Sequence, residues 1–245
     1  TKYDIDDVGH IIRKLLSHGC EVGVHGIDAW HSAESGKEEL LRIKEKTTSG
    51  DGIGIRVHWL SRNEQTYRIL DEAGYSYDST VGFNETVGFK AGTSQVFKPI
   101  GVKNLLEIPL HIQDTALFGR GRLNTSEAHA DDLCREIIDH TNGYGGLVTI
   151  LWHQRSLGPE RFWDNFYIRL IRRIKESNCW FATASDVADW FQTRRSVSFV
   201  PDSVNPGGIK INLDWSRKRD LPLVAVRISE LQESIASNTQ LVTSH

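Results

Sequence analysis

Val8, Ile11, Ile12, Leu15 and Leu16 recur at the three- and four-residue intervals that bring side chains onto one face of a helix, which predicts a helix over 4–18. Acids open that segment and Gly19 closes it, the punctuation that capping and the helix dipole favour. Beyond it, short apolar runs alternate with amphipathic stretches. Strands are expected at 20–26, 52–58, 75–82, 105–112, 146–153 and 179–185, and helices at about 35–48, 62–73, 126–141, 160–177 and 185–194. Residues 83–104 form a long irregular connection. Alternation of strand and helix builds a parallel sheet, because a parallel neighbour is reached only through a crossover.

After Arg195 the period changes. Residues 196–229 alternate with period two around a Pro206-Gly207-Gly208 turn, which predicts paired antiparallel strands. The expected organisation is an α/β domain over 1–195 followed by a small β-rich segment over 196–245.

Composition narrows the function classes. A formal net charge of -3 with interspersed signs gives no basic stripe to neutralise phosphates, so no nucleic-acid partner is expected. No run approaches the roughly 18 apolar residues of a membrane span. Cys20, Cys134 and Cys179 lie far apart without metal-ligand spacing and are expected to be small buried hydrophobes. The compartment stays open, leaning to the cytoplasm, and the oligomeric state is unassigned. The chain opens on Thr1 and contains no methionine, which is expected of a fragment.

In parallel α/β folds the ligand site forms where strands end at their carboxyl side, since every crossover places its loop there. The polar residues at those ends are His25, Arg56, His58, Asp78, Ser79, His111, Asp114 and His153. His31 lies six residues beyond His25, so the two imidazoles meet only if the strand stops and the loop folds back. A catalytic zinc takes about three protein ligands and keeps one open position, so two histidines are one ligand short.

EVGVHG followed by His31, GIRVHWL (54–60), TILWHQ (149–154) and WFATASDVADWF (180–191) resemble the NodB-like polysaccharide deacetylases of carbohydrate esterase family four, over about 4–195. The resemblance implies a distorted or partial (β/α) barrel holding a divalent metal, most often zinc, between one aspartate and two histidines. His25 and His31 match that pair. A first-strand aspartate would act as general base, Arg56 would orient it, and His153 would be the general acid. The family's acidic pair ends a strand upstream of a helix like 4–18, so the chain is expected to lack its first strand or strands. The histidines are also spaced more widely than is usual in the family, which makes Asp28 a candidate ligand or a group that orients one.

The activity implied is metal-dependent removal of an N-acyl (acetyl) group from a sugar of a surface polysaccharide or glycolipid. Such a metal polarises the amide carbonyl and acidifies its water. His58, Trp59, Asp114 and Trp152 are expected to contact the carbohydrate, with Phe83, Phe89 and Trp163 lining the cleft beside them. The alternative is a non-catalytic carbohydrate-binding relative that keeps the fold without the aspartate pair.

Overall fold

The computed structural model describes residues 5–47, 52–177, 179–203, 208–212, 221–222, 224–228 and 238–241. Asp4 of the first expected helix and Pro206-Gly207 of the expected turn lie outside them. By internal packing the chain divides into two compact units, Thr1–Ala188 and Asp189–His245.

The first unit opens with a 3-10 turn, Ile5–Val8, running into helix α1 (Gly9–Ser17). Strand β1 (Val24–Gly26) leads to α2 (Ala33–Lys44), whose Ser32 side chain caps the helix by accepting from the Ser35 N–H at 3.1 Å. Next come β2 (Gly54–Val57) and α3 (Thr66–Ala73); α3 stops at Gly74, which takes the left-handed conformation that a side chain would resist. Strands β3 (Tyr77–Asp78) and β4 (Leu106–Glu107) follow, then β5 (Ile112–Gln113), α4 (Asp114–Phe118), α5 (Glu127–Tyr144), β6 (Ile150–Leu151) and α6 (Asp164–Glu176); the division between the units falls within α7 (Ala184–Arg195).

β1, β2, β3 and β4 form a parallel sheet in that order, and β5 pairs with β6 in parallel. Two apolar cores sit on these ladders. One packs Val24, Ile55, Val57, Leu40, Leu70 and Tyr75 between the sheet and α2 and α3. The other packs Ile112, Leu117, Cys134, Ile138, Phe166 and Leu170 among β5, α4, α5 and α6.

Several expectations are corrected. The strand expected over 105–112 divides into β4 and β5, because Pro109 between them has no N–H to donate to a ladder. The chain still follows β3 there, with Ile108 N–H on the Asp78 carbonyl and Leu110 N–H on that of Val81. Residues 179–183 form no strand among the described residues. That run is tied by its end instead, since the Ser185 N–H donates to Glu21 Oε2 at 2.9 Å. Cys20 and Cys179 are exposed; only Cys134 is buried.

In the second unit β7 (Ser198–Pro201) pairs antiparallel with β8 (Ile209–Asn212), and β9 (Ala225–Ile228) pairs antiparallel with β10 (Asn238–Leu241). The antiparallel pairing expected here is present, although the side chains of β7 and β8 are exposed on both faces apart from one partly buried residue.

Candidate active site

Register places His25 of β1 directly across from Arg56 of β2. His25 Nδ1 lies 3.1 Å from the Arg56 carbonyl oxygen, which only accepts, so Nδ1 carries the proton and Nε2 is left with its lone pair. Partial burial, then the neighbouring His58, Arg56 and His153, hold the His25 pKa below the ordinary imidazole value despite the hydrogen bond to the Arg56 carbonyl. His25 is therefore a neutral imidazole near pH 7. The His58 ring meets it edge-on, with centroids 5.1 Å apart.

Directly after His58 the backbone turns through two left-handed residues, Trp59 (φ 60°) and Leu60 (φ 54°). Side chains resist this conformation, so the turn is held from outside. Asn84 of the long connection donates from Nδ2 to the Trp59 carbonyl at 2.7 Å, and Arg122 donates to the Asn84 carbonyl. The turn leaves the Trp59 indole 64% exposed beside His58.

Beneath these residues Asp78 of β3 and Glu107 of β4 stand in register, both buried. Thr80 donates to Asp78 Oδ1, and the Val81 N–H donates to Glu107 Oε1 at 3.1 Å. Burial raises both carboxyl pKa values, and the charge of Asp78 raises that of Glu107 further. Two buried carboxylates cannot both ionise cheaply side by side, so the pair gives up its protons at higher pH than exposed carboxyl groups do.

The half-buried Arg56 side chain turns toward this pair. Its Nε donates to the Ser79 carbonyl at 2.8 Å and Nη2 to Ser79 Oγ at 2.7 Å. Burial lowers its pKa and the charges of Asp78, Tyr77 and Glu107 oppose that shift.

On the second ladder, Asp114 begins α4 immediately after β5, and His153 follows β6. Asp114 is fully buried and His153 is 40% exposed at its side chain. The Asp114 carboxylate receives four donors. His153 Nδ1 at 2.7 Å and the Thr115 N–H at 2.6 Å reach Oδ1; the His153 N–H at 2.8 Å and Ser156 Oγ reach Oδ2. Burial alone would raise the Asp114 pKa, but the bonds from His153 and Ser156 hold it below the usual carboxylate range. His153 thus has one nitrogen fixed on a buried carboxylate and the other turned away from it.

His31 is engaged within its own loop. Its Nδ1 lies 3.4 Å from Asp28 Oδ1, and both side chains are more than half exposed. Glu39 of α2, which charge patterning assigns to a solvated face, holds this loop by accepting from the N–H groups of Ile27 and Asp28. The metal of the deacetylase resemblance would require three converging donors. Among the described residues, no three His, Cys, Asp or Glu side chains are placed to hold a cation. The donors present therefore do not make up such a centre.

Trp152, expected at the substrate, packs in the second core. Its ring stacks on Phe166 and tilts against Tyr167, and its indole N–H is buried without a partner. His111 is buried and accepts from the Thr149 N–H through Nδ1; burial pushes its pKa down to about 4. Glu107, Glu39 and Ser156 are the contributors that sequence alone did not mark. Each acts on a group distant in sequence or on a carboxylate whose position only the fold supplies.

No protein-family model matches the sequence, and no curated protein matches it. The structure does superpose on a crystal structure provisionally assigned as a polysaccharide deacetylase from Mycobacterium smegmatis. That match has a TM-score of 0.57 and 20% sequence identity over 76% of this chain and 68% of that one. The likeness is one of fold. No helix among the described residues is long and apolar enough to cross a membrane.

Proposed function

We propose that the chain hydrolyses an N-acyl, in the first instance N-acetyl, group on a sugar of a polysaccharide or glycolipid. The observation that carries this reading is the His153–Asp114 pair, a half-exposed imidazole with Nδ1 on a buried carboxylate. The fold likeness to a chain described as a polysaccharide deacetylase supports the substrate class. We read the two parallel ladders as arcs of an open barrel with this pair at its mouth.

Hydrolysis adds water to the acyl carbon and breaks the C–N bond, and the departing amine must take up a proton. His153 supplies it from Nε2: Asp114 stabilises the imidazolium before transfer and keeps Nδ1 protonated afterwards. His25 Nε2, unprotonated, takes the proton that the attacking water gives up, and exchange with solvent then returns that proton from His25 and restores the one on His153, so that one water is consumed and the amine and the carboxylate are released. Trp59 offers its exposed face to the sugar ring. No step is assigned to a metal, since the described donors do not gather around one.

The test is acetate release from N-acetylglucosamine oligosaccharides. The parent chain is expected to turn over, and His153→Gln is expected to lose about 10²- to 10⁴-fold in kcat with its fold intact. Equal rates in parent and variant would remove His153 from the chemistry. Oligosaccharide binding by calorimetry without acetate release would replace the enzyme by the carbohydrate-binding relative.

A further inference from the structure

His153 and Asp114 do not form an isolated pair. Gln154–Ser156 makes one 3-10 turn after His153, closed by the Ser156 N–H donating to the His153 carbonyl at 2.9 Å. This turn brings the Ser156 hydroxyl back onto the same carboxylate that holds the imidazole. Ser156 is fully buried, and its own carbonyl accepts from the Trp163 N–H at 2.9 Å. Its hydroxyl oxygen in turn accepts from Arg161 Nη1 at 3.3 Å, and the Arg161 guanidinium lies over the Trp163 ring. With its lone pair facing a cation, the hydroxyl has one direction left for its proton, Asp114 Oδ2.

We infer that Ser156 is a positioning residue of the His153–Asp114 pair, transmitting the charge of Arg161 to the carboxylate and so setting how firmly the carboxylate holds the protonated imidazole. The inference rests on the deacetylase reading for its catalytic meaning, but its geometry stands without it. A donor on Oδ2 draws negative charge away from the oxygen facing His153, which weakens the stabilisation of the imidazolium. Removing the hydroxyl makes the carboxylate more basic toward His153. The imidazole should then keep its proton to higher pH and release it to the leaving amine less readily.

The charged groups tied to His153 are Asp114 from α4 and, through Ser156, Arg161; the titratable group whose pKa His153 lowers is His25 from β1. Arg155, next in sequence to this turn's first residue, is engaged with Glu160. Ser156→Ala leaves each of these side chains present and removes the hydroxyl through which Arg161 reaches the carboxylate, so a change in titration reports that hydroxyl.

The experiment is a pH titration of histidine ring signals by NMR on the full chain, with His153 assigned by its loss in His153→Gln. Ser156→Ala is expected to raise the His153 midpoint by about half a unit to one unit, with Ser156→Thr close to the parent. The acid-requiring limb of the kcat profile should move the same way, with KM unchanged. A folded Ser156→Ala whose midpoint coincides with the parent's overturns the inference, leaving Ser156 a structural residue of the turn. Should Ser156→Ala not fold, Arg161→Gln, altered at the outer end of the relay, must raise the midpoint, and an unmoved midpoint there overturns it equally. A shifted midpoint in a chain that releases no acetate would sustain this inference while removing the deacetylase reading.

Discussion

His111 and His153 both lie beside parallel strands, yet their surroundings give them opposite chemistry. His111 is closed in by Phe89 and used as an acceptor by the Thr149 N–H, so burial keeps it neutral. His153 keeps one edge open and has a carboxylate behind it, the arrangement of a proton carrier. Sequence position marks both residues alike, because burial and the partner of Nδ1 depend on chain segments far away. Trp59 is the clearest case of a side chain presented outward, held there by two left-handed residues and by Asn84. Trp59→Ala is therefore expected to raise KM for an oligosaccharide about 3- to 10-fold with kcat little changed, read by steady-state acetate release. A fall in kcat at constant KM would instead place the indole in the chemical step.

The strands are short, and close approach between them fixes their alignment. Gly54 of β2 stands in register with Tyr77 of β3, whose ring crosses the Gly54 backbone and whose hydroxyl donates to Glu21 ahead of β1. A Cβ at Gly54 would stand 1.9 Å from Tyr77 Cζ. Gly54→Ala must displace that ring and break its link to Glu21, and is expected to cost about 1–3 kcal/mol in urea unfolding. A variant as stable as the parent would show that the ring moves freely. Periodicity located most helices and the order of the strands well. It placed ladder ends poorly at 105–112 and 179–185, because whether an extended run joins a ladder depends on a neighbour's free edge and, at Pro109, on one missing N–H.

The pH dependence of the whole fold follows from two opposed sets of groups. His25 and His111 have lowered pKa values, so the stability they carry is present above the ordinary imidazole value of about 6.5 and is lost as pH falls toward the folded values. Asp114, also lowered, contributes in the same sense at more acid pH. Asp78 and Glu107 are raised; their contribution is full below the ordinary carboxyl value of about 4 and is lost as pH rises through their folded values. Glu107→Gln removes one of the two titrating groups while keeping the size of the side chain and an oxygen for the Val81 N–H. Its thermal midpoint relative to the parent is expected to improve steadily between about pH 4.5 and pH 7.5, followed by near-UV circular dichroism. A pH-independent difference would show that the pair holds no proton in this range.

Alternation of apolar and polar residues sufficed to establish an α/β chain with parallel pairing and an antiparallel tail, since side-chain period and crossover geometry are local consequences of the backbone. It also brought His25, Arg56, Asp114 and His153 into view, because strand ends in such folds gather on one side. What it left open was which of these residues touch. His25 faces His58 while His31 turns to Asp28; Arg56 reaches inward to Ser79; Trp152 joins a core; and Asp114 stands behind His153 with Ser156 and Arg161. The His31–Asp28 and Ser156–Arg161 contacts are local, but the others depend on loop closure and on burial and join residues more than ten positions apart, whose proximity no local period records.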